Sequence, residues 1–592
     1  MTTVSAPFSQ LVAQAWQDLQ PFEGRFALAW RVALLCALVT GVAMTFRIPE
    51  AAISCYLVIF LMKPDAVMNC LLGIGLILLA SLVVLLMIPV INFSIDSAAM
   101  RLAIMFFASY FFLFLSATTP LGEQAAIVGL IIAFIMSLVT SVPIGQIGDQ
   151  GLLAAWKMAC MPMALMVLFN LILGVPAQTH VRNLIVKRLE TAALELELSG
   201  NPEDLTEMLA EGNDPSLQQM VLVRILNLVP RPQSTWLNGA IETSYRLLLA
   251  SQAPLADIQI DRRPEIAAQI RQMAKQIAGG SIPAAPEFEP QSHAEQTCLA
   301  TLQGLARSDG GAAPKPTPQA LLAADAFTNP DYQRYALKTS IAAMLCYLIY
   351  TGIQWDGIHT ALITCYVAAL GTTGETVRKL TLRIVGCLFG AALGCAALLF
   401  VMPSLTSVGG LMLLVFGAVL IAAWVSSGNE RISYCGVQIA LAFLLTTLNG
   451  FGPSFEFSQA GDRIGGILLG IFVIYVIFTQ FWPASIYNRI HRELAETATR
   501  VYELARLSQP ERSKEIASSA AILKTLSETP NALSMASFEP RHQRADATTL
   551  ARCAEIRDEL EMLFRTVWFA ETVPPTALFQ LSTLNKELSN PT

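Results

Sequence analysis

Long stretches with almost no charge alternate with short polar breaks along residues 25–176, and the pattern returns along 334–483. The first block holds apolar runs at 26–46, 51–62, 66–90, 98–115, 124–141 and 152–173. The second holds runs at 335–353, 357–370, 380–402, 408–427, 432–448 and 463–482. A helix needs about 20 apolar residues to cross a bilayer, so these runs predict membrane segments, six in each block. The second run of each block is too short to cross comfortably as one straight helix. A polar turn follows each: Lys63-Pro64-Asp65 in one, Gly371-Thr372-Thr373-Gly374-Glu375 in the other. A short segment, a break and then a full span predict a discontinuous helix pair. Such backbone is tolerated at membrane depth only inside protein or beside a water-filled cavity.

Between and after the blocks, residues 177–333 and 484–592 are charged and punctuated by Pro, with apolar positions at helical spacing over 181–198, 217–229 and 241–249. They predict helical soluble domains. The blocks also resemble each other. Ser54-Cys55-Tyr56 and Thr364-Cys365-Tyr366 lie 310 residues apart, and the same offset sets Asp65 opposite Glu375. The expected fold is therefore all-α: a polytopic membrane protein of two parallel six-segment repeats with helical cytoplasmic domains. Basic residues near segment ends set the orientation. Arg182, Lys187, Arg188, Arg489 and Arg492 follow a sixth segment, Lys63, Arg378 and Lys379 a second, and Arg431 a fourth. This places residues 1–24, both soluble regions and the C-terminus in the cytoplasm. Residues 1–23 contain no apolar core flanked by basic residues, so no cleaved signal peptide is expected.

Composition narrows the function. The 592 residues are 54% hydrophobic and only 14% charged, where soluble domains carry roughly 25% charged residues. The 11 cysteines mostly stand singly inside apolar runs, with no Cys-x-x-Cys. They read as small buried hydrophobes, with no metal and no disulfide framework. No phosphate-binding loop, metalloprotease or serine-hydrolase motif occurs, so neither an enzyme nor a cofactor is expected. The soluble parts lack a basic-aromatic patch, which gives nucleic-acid binding no support.

Paired short segments at corresponding positions of two halves point to a transport site; the alternative is that both are packing segments. The candidate chemistry clusters at the second one. Thr372 and Glu375 fit a helix capping box. Arg378 and Lys379 follow on the face of Glu375. Gly371, Gly374 and the start of the long helix, with Arg378, Lys379 and Arg383, would favour a carboxylate. Arg383 lies a full turn deeper than Arg378, where a charge must face the bundle or snorkel. Tyr366 could contact the same solute; the Gln438 amide could bind a polar group of it or bridge helices, with bridging read first. Asp356 and His359 could exchange protons, or be satisfied interfacial groups. Gly386, Gly390 and Gly394 form a smooth stripe, read first as helix packing and second as the lining of a path.

The residues Tyr335-Ala336-Leu337-Lys338, Trp355-Asp356-Gly357, the 371–375 turn, Arg383-x-x-Gly386-x-x-x-Gly390 and Gln438-x-x-Leu441-Ala442-Phe443 resemble the fusaric acid resistance family of bacterial inner-membrane proteins. The resemblance implies export of aromatic carboxylic acids or drugs. It also implies work alongside a periplasmic membrane fusion protein and an outer-membrane channel. The reading is a proton-driven, multi-pass inner-membrane exporter of aromatic or lipophilic organic acids or drugs, with homo-oligomers allowed. An uncoupled organic-anion channel and a non-transporting assembly scaffold are the alternatives.

Overall fold

A computed structural model describes residues 16–22, 24–138, 146–225, 227–252, 258–311, 321–448, 450 and 457–589. Among these residues every regular element is a helix. The chain divides into two compact units, 1–174 with 319–484 and 175–318 with 485–592.

The first unit carries the apolar runs. Its helices are α1 (Arg25–Thr45), α2 (Ala51–Leu61), α3 (Ala66–Ser94), α4 (Ala98–Thr118), α5 (Glu123–Leu138) and α6 (Gln146–Leu173). After six helices of the other unit, residues 177–306, come α13 (Pro330–Gly352), α14 (Thr360–Ala368), α15 (Thr373–Ala396), α16 (Val408–Ser426), α17 (Glu430–Thr447) and α18 (Phe457–Gln480). All twelve expected segments are thus helical, and the two short ones are α2 and α14. Among the described residues, six helical stretches are long and apolar enough to cross a membrane, including Ala66–Ser94 and Thr373–Ser404. Local chemistry fixes the starts: Asp65, Ser97, Asn329, Ser407 and Asn429 each cap the helix that follows by accepting a backbone N–H.

The two halves of this unit interleave. The first helix of each half lies along the fourth helix of the other: α1 on α16, α13 on α4. The short helix of each half meets the fifth helix of the other: α2 with α17, α14 with α5. Two hydrophobic cores result. One joins α1, α2 and α6 to α16 and α17; the other joins α13, α14 and α18 to α4 and α5. Arg25 ties one such crossing. Fully buried, it donates to the Trp424 carbonyl at 2.6 and 2.9 Å and to the carbonyls of Asp18 and Gln20.

One contact recurs with the offset read from the sequence. Cys55 Sγ lies 3.4 Å from the Cys36 carbonyl where α1 crosses α2, and Cys365 Sγ lies 3.5 Å from Cys346 Sγ where α13 crosses α14. Both pairs are 310 residues apart. Past the short helix the register changes. α2 is followed by its C-cap Met62 and α3 is capped by Asp65; α14 is followed by its C-cap Ala369 and α15 is capped by Thr372, an offset of 307. α2 carries three more residues after its cysteine. The counterpart of Asp65 is therefore Thr372 and not Glu375.

The second unit is built from α7 (Ala177–Leu196), α8 (Pro202–Glu211), α9 (Asp214–Ile225), α10 (Arg231–Ala250), α11 (Arg263–Ala278) and α12 (His293–Ala306), with α19 (Ile486–Ala505), α20 (Gln509–Arg512), α21 (Ile516–Met535), α22 (Ala547–Phe569) and α23 (Pro575–Ser589). α8 packs on α21, so the two soluble stretches share one body. At its centre Arg188, fully buried, donates to Asn213 Oδ1 and to the carbonyls of Gly212 and Ile241, against the Tyr245 ring. Burial pushes the Arg188 pKa down to about 10.

Candidate functional site

The polar turn before α15 forms the capping box its sequence predicts. The Glu375 N–H donates to Thr372 Oγ1 at 3.3 Å, and the Glu375 carboxylate accepts from the Thr372 N–H and, at 2.8 Å, from its hydroxyl. The Thr373 N–H donates to the Ala484 carbonyl at 3.0 Å. These donors are engaged within the chain. A Cβ at Gly371 would meet open space, and Gly374 is buried in the first turn. Much of the helix start is thus tied up within the chain, and further cations lie deeper along α15.

Those cations lie on one face of α15. Arg383 is 2% exposed. Its Nη1 donates to the Tyr434 hydroxyl of α17 at 3.0 Å, and its Nε meets no acceptor. Among the described residues no carboxylate lies within ion-pair distance of it. One turn earlier, Lys379 Nζ stands 5.0 Å from the centre of the Tyr434 ring and 3.7 Å from Glu123 Oε1 at the start of α5. Tyr434 is held between the two cations. One turn along α17, Gln438 is fully buried, and its amide, short of full hydrogen-bond geometry, has the Tyr56 hydroxyl as a polar neighbour. Tyr56 of α2 turns its hydroxyl toward Gln438, within electrostatic reach of Tyr434 and Arg383. Four helices from both halves thus converge on Lys379, Arg383, Tyr434, Gln438, Tyr56 and Glu123. A buried guanidinium with a spare donor, beside a buried amide and two phenols, can offer hydrogen bonds to an anionic group.

The other expected residues fall elsewhere. Arg378 is half-buried on α15. Tyr366, on α14, contacts the Ser109 hydroxyl of α4 and faces Gly129 of α5, away from the Arg383 cluster. His359 packs edge-on to the rings of Tyr350 and Phe134, at 5.3 and 6.2 Å. The side chains of Asp356 and Arg463 lie outside the described residues. Asp462 accepts from Trp355 Nε1 at 2.9 Å and covers Gly357.

The glycine stripe takes its packing role. Cβ atoms at Gly386, Gly390 and Gly394 would lie 2.6 Å from the Cys435 carbonyl oxygen, 2.3 Å from the Ile439 carbonyl oxygen and 2.7 Å from Thr446 Cβ. α15 and α17 form the most extensive helix pair of the molecule along this seam. A solute cannot slide along a surface that another backbone already covers, so the idea of a Gly-lined path is corrected.

Three members of the cluster escaped the sequence reading. Tyr434 was detectable as the residue one turn before Gln438, on the same face. Tyr56 was detectable as the mate of Tyr366. Glu123 gave no signal, because the contact that brings α5 to α15 joins different halves.

Comparison with known proteins bears out the family resemblance. Residues 333–567 match the family described as the Fusaric acid resistance protein family. The chain is similar to the multidrug resistance protein MdtO of Escherichia coli K12, with 28% identity over 86% of this chain and 77% of that protein. It is also similar to MdtO of Shigella flexneri, at 34% identity over 45% of this chain and 41% of the relative. A shorter match, 32% identical over 28% of this chain and 22% of the relative, is to the inner membrane protein YccS of Escherichia coli K12. No solved structure matches the chain.

Proposed function

We propose that this chain is an efflux transporter of a bacterial inner membrane, exporting aromatic or lipophilic organic acids or drugs. One relative's name, a multidrug resistance protein, fits export of drugs, another's places that relative in the inner membrane, and the apolar helices support a multi-pass protein. The choice of an organic anion rests on Arg383. A cation buried without an anion is costly, and a solute carboxylate reaching it would relieve that cost. Lys379, only 14% exposed, would meet the carboxylate first. Gln438 and the phenols of Tyr434 and Tyr56 would take its remaining polar atoms and its ring.

The drive in this reading is the proton gradient, with His359 and Asp356 near the start of α14 as the groups that exchange protons. The soluble unit lies in the cytoplasm, the two halves are parallel copies of one six-segment unit, and a periplasmic fusion protein with an outer-membrane channel completes the path. Support for duplication comes from the paired cysteine crossings and the reciprocal packing of the halves.

The test is efflux of a fluorescent aromatic carboxylate from energised vesicles, with Arg383→Ala and Arg383→Lys compared at equal protein level. Hydrogen bonds to a charged group contribute about 1.5–3 kcal/mol. Arg383→Ala should therefore slow export roughly ten- to a hundredfold, with partial activity in Arg383→Lys. Wild-type rates in Arg383→Ala would overturn the anion site. An uncoupler that leaves uphill export unchanged would overturn the proton drive.

A further inference from the structure

In the first half, the place that corresponds to the Arg383 cluster is apolar. The caps Asp65 and Thr372 align α3 with α15 at an offset of 307, and the starts Glu123 and Glu430 align α5 with α17 at the same offset. In this register Arg383 corresponds to Leu76, Tyr434 to Ile127 and Gln438 to Ile131. Cys387 corresponds to Ala80 and Gly390 to Val83. All five first-half residues line one cleft, together with Leu61 of α2 and Met163 of α6. Where glycines let α15 close on α17, the bulkier α3 side chains hold α3 off α5, and those two helices share only a slight contact.

We propose that this cleft is a binding site for the acyl chain of a bilayer lipid. No polar group lines it. Ser81, the polar residue beside Ala80, is engaged by Trp156 Nε1 at 2.9 Å and donates to the Ile77 carbonyl. Water would find no partners there, and an empty apolar gap forfeits the dispersion contacts of its walls. The neighbouring face of α3 is made for hydrocarbon: only 17% of its apolar window is buried, and Leu78, Leu82 and Leu85 are each more than half exposed. Leu76, Leu79 and Ala80 are only half-buried, so the cleft is continuous with that face. A tail entering from the bilayer gains packing and leaves one apolar medium for another. It therefore acts as an exchangeable wedge between α3 and α5. This inference does not depend on the export reading.

The experiment reconstitutes the full chain in bilayers containing a phospholipid with a mid-chain diazirine, then maps the inserted label by peptide mass spectrometry. Labelling at Leu76, Ala80 and Ile131 should exceed that at the outward-facing Leu78, Leu82 and Leu85 of the same region. Ala80→Phe fills the cleft from α3, and Ala159→Phe fills it from α6. Either variant should reduce cleft labelling to the outward-facing level while labelling at Leu85 and at Phe389 of α15 is unchanged, which also reports that the variant has folded. Equal labelling of cleft and outward positions in the wild type would overturn the proposal. So would cleft labelling that survives both filling variants, or that is displaced by an aromatic carboxylate and not by excess unlabelled phospholipid.

Discussion

The third and fifth helices meet twice in this chain, and the two meetings are built from opposite materials. In the second half, glycines bring α15 and α17 into backbone contact and polar side chains collect at one end of the seam. In the first half, Leu, Ile and Val at the matching positions keep α3 and α5 apart over an apolar cleft. Helix order and the crossings between halves are shared; the packing of the third helix is not, since α15 lies along α17 whereas α3 lies along α6 and barely touches α5. If the halves are copies of one unit, as proposed, the polar cluster has been kept in one copy alone. Once one copy holds the charge, the other is free to pack against hydrocarbon.

The largest effect should come from forcing one half to imitate the other. Leu76→Arg places a charge at the Arg383 position of the first half, where no phenol or amide waits for it. A central charge on a membrane helix costs about 2.5–3.5 kcal/mol on insertion scales, so folded protein recovered from membranes should fall severalfold or more. The reverse exchange should be mild for folding. Arg383→Leu, Tyr434→Ile and Gln438→Ile together remove a buried cation and its partners as a set, which is often neutral or stabilising. This triple variant should accumulate normally and export no organic acid. If Leu76→Arg accumulates like wild type and the triple variant does not, the assignment of polar and apolar halves is reversed.

Seam closure gives the next prediction. Gly390→Val puts a Cβ 2.3 Å from the Ile439 carbonyl oxygen, and backbone on both helices leaves little room to yield. Overpacking typically costs about 1–3 kcal/mol, so the melting temperature in detergent should drop clearly. Val83→Ala, at the matching position of α3, trims a wall of an existing cleft and should cost about 0.5–1.5 kcal/mol, the range for losing a methyl or two. Equal melting temperatures for Gly390→Val and wild type would mean that the seam is looser than its geometry.

Most of this fold was legible from apolar runs alone. Twelve segments, two of them short, follow from run length, and the capping box at Thr372 follows from residue type and spacing. The site was legible only in part. Arg383 stood out because a charge that deep has few places to go, and Gln438 because an amide in an apolar run needs a reason. Tyr366 was misplaced: the repeat pattern shows that two tyrosines correspond, but not which half each one faces. That depends on the interleaving of the halves, which sends Tyr56 to α17 and Tyr366 to Ser109. Run lengths carry no information about which helices cross over.

The two tyrosines sharpen the same contrast at smaller scale. Tyr56→Phe removes a hydroxyl from the Gln438 side of the cluster and should weaken solute binding by the net worth of one hydrogen bond, about 0.5–1.5 kcal/mol or up to roughly tenfold in affinity. Tyr366→Phe removes a hydroxyl that serves Ser109 and should leave solute affinity unchanged, with any loss confined to stability. Affinity measured by quenching of a fluorescent aromatic acid separates the two. Equal losses would mean that both tyrosines meet the solute.

The smallest expected effect concerns a carboxylate that the first half lends to the second. Glu123 stands 3.7 Å from Lys379 and its side chain is 65% exposed, whereas Lys379 is only 14% exposed. Glu123 is therefore a tethered competitor: an incoming carboxylate must displace it or share the ammonium with it. Exposed ion pairs contribute about 0.2–1 kcal/mol and are screened by salt. Glu123→Gln should thus tighten binding of an aromatic acid, by less than about fivefold at low ionic strength, and the gain should vanish in high salt. Glu123→Gln combined with Lys379→Met should bind no better than Lys379→Met alone, because the competition needs the cation. A gain that persists without Lys379 would move the action of Glu123 to another partner and break the link between α5 and the polar half.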